Sequence, residues 1–527
     1  MLNKRRIRLT GVLMTLALTA QSLAFVPGLT MAQAKKSIKL KTSKVELIQG
    51  DTSKIKVKNA PKSAKITYTS KDKSVATVSK KGVVKAKSEG STKITVKVSK
   101  KKKLLKKLSF KVTVIESGSE TPEPTYSPVV SEKFVGDRKA DLSTDFINQV
   151  NDFSVDLFKA CGLDDVKAGK NVLISPQSVL TDMMMAANGA KTTTLAEMEN
   201  VMCGGVGFTQ FRKSLSDMNA GMIYSDKVKF HMANSIWIRD DAERIRVKPE
   251  FLDQGEIWYN AESNVVPFDA TMVKKVNDWV NKNTLGMIPE LLKDQPKEEE
   301  VMHLINALAF DGAWEEQYED FRVSKNQTFT NSKGKKEEAT MLSETMGSYM
   351  HDDKATAFSK PYKGGGFSFV AILPNEGVSV SDYLAGLDAK SLGVLYNSRE
   401  FDVDVYTKLP EFKYDYDTKM SDGIKSMGIR EAFSEDADFT GMADTKTQKL
   451  FIGEVVHKTH IELDKNGTKA AAVTDIVMKD TSSMEPKPKK VVKIYLDRPF
   501  IYAIIQSKTG IPVFMGVVNS VSGEVAG

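Results

Sequence analysis

Between residues 37 and 115 polar and β-branched positions alternate. Lys54-Ile55-Lys56-Val57-Lys58 and Ile94-Thr95-Val96-Lys97-Val98 are two such runs, and Val112 and Val114 continue the pattern. A period of two sends apolar side chains to one face of a strand and polar ones to the other. Turn residues punctuate the stretch at Gly50-Asp51, Asn59-Ala60-Pro61, Lys81-Gly82 and Glu89-Gly90. Several short strands at regular spacing predict an all-β sandwich over 37–115. Residues 116–133 are rich in Pro, Ser and Glu and predict an extended linker. Beyond that the pattern mixes periods. Phe146, Val150, Phe153 and Leu157 recur at helical spacing, whereas 367–373 and 513–518 are apolar runs of buried-strand length. The segment 134–523 therefore predicts an α+β domain.

The first 34 residues follow neither pattern. Lys4, Arg5, Arg6 and Arg8 precede a mostly apolar stretch, 9–26, and Ala32-Gln33-Ala34 supplies a small-x-small cleavage pattern. This order predicts a secretory signal peptide over 1–34, a secreted, extracellular product and no transmembrane anchor after cleavage.

Charge sharpens the division. The chain has 527 residues and a formal charge of +9. Residues 35–115 carry 25 Lys, no Arg and four acids, hence +21; residues 1–34 add +4, leaving −16 for 116–527. A basic module thus precedes an acidic one. A surface of +21 predicts salt-dependent attraction to polyanions, which outside a cell means anionic cell-wall polymers. Nucleic acid is not expected: only Tyr68 and Phe110 interrupt the lysines, too few aromatics to stack bases.

Residues 134–527 hold no Gly-x-Ser-x-Gly elbow, phosphate-binding loop, His-Glu-x-x-His or Cys-x-x-Cys. His457-x-x-His460 lies in a strand-like run, which puts the two rings on opposite faces and argues against a metal site. No cofactor, metal or catalytic residue is expected. Cys161 and Cys203 could pair outside the cell, and the favoured reading is two unpaired structural thiols.

Ordered motifs then become specific. Residues 66–96, from Ile66-Thr67-Tyr68 to Thr95-Val96, resemble a bacterial Ig-like domain of group 2, a spacer or adhesive unit. The larger segment carries Asn171-Val172-Leu173-Ile174-Ser175-Pro176, Asn188-Gly189-Ala190, Ile305-Asn306-Ala307 through Gly312-Ala313-Trp314, Leu409-Pro410-x-Phe412-Lys413, Ala437-Asp438-Phe439-Thr440-Gly441-Met442, Gly467-Thr468 and Asp497-Arg498-Pro499-Phe500. In that order they resemble a serpin. The resemblance implies a large central β-sheet, two further sheets and surrounding helices. It implies that Ser175, Ser178, Asn306 and His457 form a polar cluster where the sheet opens. Met287 stands where the family usually has Lys.

The resemblance also implies the activity: a serine protease cuts an exposed loop, is held as a covalent acyl complex, and is trapped when the loop inserts into the main sheet as a new strand. The alternative is a non-inhibitory serpin fold serving as an adhesin or surface-binding module. In this chain the hinge is Gly467-Thr468, followed by Ala470, Ala471, Ala472, Val473 and Thr474. By parity, 468, 470, 472, 474, 476 and 478 are Thr, Ala, Ala, Thr, Ile and Met, an uncharged face; the other parity carries Lys469, Asp475 and Lys479. An inserted strand with one buried face needs that pattern, and bulky or charged inward residues would favour the alternative. The family's count from Gly467 puts the scissile bond at Thr481-Ser482, whose small side chains suit an elastase-like or subtilisin-like protease; Lys479, Met484 and Lys487 are other candidates. Two departures stand out. Lys465 replaces the acidic residue usual two positions before the hinge glycine, and Val473 is bulkier than usual.

Overall fold

The computed structural model describes residues 37–40, 44–50, 52–61, 63–101, 103–115, 130–223, 228–446, 449–468 and 489–522. The expected signal peptide, most of the linker, and the loop residues from 469 to 488 lie outside them. The chain divides into two units, Met1–Tyr126 and Ser127–Gly527.

In the first unit a four-stranded sheet runs in the order Lys44–Ile48, Lys103–Ile115, Gly90–Lys100, Lys65–Ser70. A three-stranded sheet is formed by Thr52–Lys54, Val83–Ala86 and Ala76–Val78. Ile94, Val96, Phe110 and Val112 of the first sheet share one core with Val84 and Ala86 of the second. The alternation seen in the sequence is the cause: along Gly90–Lys100, Thr92, Ile94, Val96 and Val98 are buried while Lys93 and Lys97 are exposed.

The second unit is built on a six-stranded sheet. Its spatial order is Ala261–Val266, Lys229–Arg239, Met302–Ala313, Gly467–Thr468, Val456–Leu463, Phe412–Lys419. A second, nine-stranded sheet is continuous through Lys336–His351. Most of that long strand pairs with Val323–Thr330 and Glu400–Pro410, and its last residues pair with Ala355–Pro361. Ile245–Val247 and Ala443–Thr445 form a small third sheet.

Helices cover the sheets. Thr144–Lys167 starts at Ser143, whose hydroxyl accepts from the Phe146 N–H, and buries Phe146, Val150, Phe153 and Leu157 as their spacing predicts. Pro176–Ala187 is buried on nearly all sides. Pro176 tolerates its place at the first turn because its missing N–H would have no helical acceptor there. This helix packs against the third strand of the main sheet, Met302–Ala313. Among the described residues, no helix is long and apolar enough to cross a membrane.

Candidate functional site

The hinge residues occupy a strand position. Thr468 pairs with Gly312 on one side and with Leu463 on the other, and Gly467 pairs with Ala313. Among the described residues this is the only ladder contact joining the third strand to the fifth, Val456–Leu463. Two strand spacings of ~4.8 Å separate backbones that share a strand between them, so the sheet at Thr468 already has the width of one inserted strand.

A compact set of bonds holds this entry point. The Asp464 carboxylate accepts the N–H of Asn466 at 2.7 Å and of Gly467 at 3.2 Å. The Trp314 indole donates to the Asp464 carbonyl at 3.0 Å, and the Trp314 N–H donates to Asn466 O at 2.9 Å. Trp314 stacks on Tyr362 with ring centres 4.6 Å apart. The Tyr362 and Thr468 hydroxyls meet at 2.6 Å. Gly312 is required beside them: a Cβ there would lie 2.9 Å from the Phe310 ring and 3.0 Å from that of Tyr362. Thr468 and Gly467 are both buried.

Charge at the top of the sheet is arranged around Lys465. Its ammonium meets Asp320 at 2.5 Å, and Asp464 and Glu411 add favourable charge. Burial pushes the Glu411 carboxyl up, partly offset by the Lys465 backbone N–H. The departure at Lys465 is therefore matched by acids on its neighbours. A second pair lies nearby. Lys360, 3% exposed, bonds Glu344 at 2.5 Å and sits 4.3 Å over the Tyr318 ring. Desolvation holds the Lys360 ammonium below its ordinary range even against the attraction of Glu344. Neither pair is legible in sequence, because its members are 16 and 145 residues apart.

The four residues of the expected polar cluster lie under the sheet as two pairs. The Ser175 hydroxyl caps the helix Pro176–Ala187 and donates to Val513 O at 2.8 Å, while the Ser175 N–H donates to His457 Nε2 at 3.0 Å. Three residues on, the Ser178 hydroxyl donates to Asn306 Oδ1 at 2.5 Å, and Asn306 Nδ2 donates to Asn234 at 2.7 Å. His457 is on the fifth strand and Asn306 on the third, so one helix holds both walls of the slot. An imidazole that accepts at Nε2 carries its proton on Nδ1, and burial pushes His457 down to about 4, keeping it neutral.

Asp182 is a member of this neighbourhood that sequence reasoning missed. It lies one helical turn beyond Ser178 on the same face. Its Oδ1 is buried without a hydrogen-bond partner. Burial pushes the carboxyl up to about 7, partly offset by the Asn306 backbone N–H. A charged residue inside an otherwise uncharged helical run, Leu180 to Ala187, was the available signal.

Ala470, Ala471, Ala472, Val473, Thr474, Thr481 and Ser482 lie outside the described residues, as do Lys479, Met484 and Lys487. His457 and His460 are on opposite faces of their strand, and His460 bonds Asp415 at 2.6 Å. Cys161 and Cys203 are unpaired, and burial pushes both thiols up to about 12. Met287 is buried against Ile288 and Trp237.

Comparison with known proteins assigns this geometry to a class. The family model "Serpin (serine protease inhibitor)" matches residues 148–521, and "Bacterial Ig-like domain (group 2)" matches 34–108. The crystal structure of a thermophilic serpin, tengpin, in the native state superposes with a TM-score of 0.67 at 35% identity, covering 74% of this chain and 97% of that one. Serpin-ZXA of Oryza sativa subsp. japonica is 30% identical over 67% of this chain and 91% of its own. Intracellular coagulation inhibitor 2 of Tachypleus tridentatus is 28% identical over 72% of this chain and 92% of its own. The chain belongs to the serpin family, whose members are characteristically protease inhibitors rather than enzymes, and it carries a bacterial Ig-like module ahead of the serpin domain.

Proposed function

We propose that this chain is a secreted suicide-substrate inhibitor of serine proteases. The observation that carries the reading is Gly467–Thr468 seated as a strand between Met302–Ala313 and Val456–Leu463. A loop that begins as a strand between two others has its insertion track already started. The alternating residues after Thr468 then supply uncharged side chains, small from Ala470 to Thr474, to the buried parity.

In the proposed reaction the protease serine Oγ attacks the Thr481 carbonyl. The Thr481–Ser482 peptide bond breaks, the proton passes through the protease base to the departing Ser482 amine, and Thr481 remains as an ester on the protease. Residues from 469 onward then enter the sheet and gain ladder hydrogen bonds with both walls before water can cleave the ester. The small residues at the bond suit an elastase-like or subtilisin-like enzyme. Export follows from the basic 4–8 and apolar 9–26 segments.

The test is to mix the chain with elastase-like and subtilisin-like proteases and run the mixture under denaturing conditions. A covalent complex of the protease with the part of the chain ending at Thr481, and a released fragment whose amino terminus is Ser482, are the expected result. Cleavage without complex by each of several serine proteases overturns the proposal.

A further inference from the structure

The lysines of the Ig-like module are not scattered over its surface. On the outward face of the four-stranded sheet, the ladder sets Lys93 directly opposite Lys111, Lys111 opposite Lys44, and Lys97 opposite Lys107. All five are exposed. Like charges directly opposite one another across a strand pair destabilise a sheet. Solubility alone asks only for dispersed or mixed charge, so it does not explain paying that penalty in register. Among the described residues no ion pair of any of these lysines relieves it, and the edge-strand acid Glu46 is in register with Thr113.

Hydroxyl rows separate the lysine rows. Ser109 is opposite Thr95, and Thr95 is opposite Thr69, across three strands between the two lysine rows. Beyond the first lysine row, Thr113 and Ser91 face each other with their hydroxyls 3.1 Å apart. Lysine and hydroxyl rows thus alternate every two residues, about 6.8 Å, and neighbouring members of a row are ~4.8 Å apart. None of the described positions in these rows is aromatic, so the face has no platform on which a base could stack. It is a flat grid of cations and hydroxyls, which matches a flexible chain carrying evenly spaced phosphates and hydroxylated links.

We propose that this face, centred on Lys93, Lys97, Lys107 and Lys111, is a docking surface for a linear phosphodiester-linked polyol polymer. The ammonium groups take the phosphates by charge and counterion release, and the Thr and Ser hydroxyls bond phosphate oxygens or polyol hydroxyls between them. This inference is independent of the inhibitory reading.

The test uses the full chain and a defined poly(glycerol phosphate). One variant carries Lys93→Gln, Lys97→Gln, Lys107→Gln and Lys111→Gln. A control of equal net charge carries Lys54→Gln, Lys73→Gln, Lys80→Gln and Lys81→Gln. The expected result is binding that weakens with salt, roughly tenfold or more loss in the first variant with a shallower salt slope, and a change of about twofold or less in the control. Equal losses in both variants would mean diffuse charge and overturn the proposal, as would no loss in the first. Tighter, ladder-dependent binding to duplex DNA or to anionic phospholipid vesicles would assign the face to that partner and overturn it too. Amine acylation of the unmutated chain gives a readout independent of folding. The polymer is expected to protect the four ladder lysines more than the four control lysines, and equal protection overturns the proposal.

Discussion

The Tyr362 hydroxyl and the Thr468 hydroxyl meet 2.6 Å apart in a buried hydrogen bond, at the point where the hinge enters the main sheet. Tyr362 follows the strand Ala355–Pro361 of the other large sheet, so the bond ties the two sheets together at the start of the loop. Replacing Tyr362 with Phe keeps the ring packed on Trp314 and removes only the hydroxyl. Tyr362→Phe and Thr468→Val are each expected to lower unfolding free energy by about 1 kcal/mol, and the double variant by less than the sum. A double-mutant cycle by denaturant titration measures the coupling; additive losses would mean that the bond is not formed.

Thr468→Arg puts a charge into a site only 3% exposed, between two strands. A desolvated, unpaired guanidinium costs several kcal/mol, enough to stop the hinge from seating. The variant is expected to be cleaved by the target protease without forming a denaturant-resistant complex. Retained inhibition would contradict insertion.

Asp182 makes stability depend on pH in one direction. Its carboxyl is pushed up to about 7 in the fold, so the protonated form is favoured there relative to the unfolded chain. Its contribution is present at low pH and is lost as pH rises through about 7. Asp182→Asn is therefore expected to raise unfolding free energy at pH 8 by on the order of 2–4 kcal/mol and to change it little at pH 4. Guanidinium midpoints at the two pH values decide it, and an equal effect at both would refute the assignment.

His457 works the other way. Burial holds it down to about 4, so the unfolded chain binds the proton first as pH falls. The contribution of neutral His457 is present above pH ~6.5 and is lost as pH falls towards about 4, by up to about 3 kcal/mol. His231, also pushed down to about 4, has the same sign. His457→Gln is expected to flatten the stability profile between pH 6.5 and 4 while leaving the His231 part. An unchanged profile would show that His457 titrates normally.

Lys360 and Glu344 form a buried pair near Trp314. Removing one partner, as in Glu344→Gln, strands the other charge and is expected to cost about 3–5 kcal/mol; replacing both, Lys360→Met with Glu344→Leu, is expected to cost much less. Thermal and denaturant unfolding of these two variants beside the unmutated chain tests this ordering.

Much of this was legible from local pattern. Period-two alternation located the sandwich, because exposed Lys93 and buried Ile94 follow directly from strand geometry. Helical spacing located Thr144–Lys167 by its buried face. The ordered motifs identified the family. The polar cluster was legible only as a set. Its division into Ser175–His457 and Ser178–Asn306 depends on how far the third and fifth strands stand apart, and no local signal carries that distance.

The order of residues along the chain sets the period of each segment, the charge division between the two units and the residue types available at the hinge. These are properties of neighbours along the chain, set by strand and helix geometry. Packing brings Lys465 to Asp320, buries Lys360 against Glu344 and lays Asp182 beside Asn306. Strand register stands the module's lysines opposite one another in rows. Those outcomes depend on register and on desolvation, which exist only when strands distant in sequence are packed side by side.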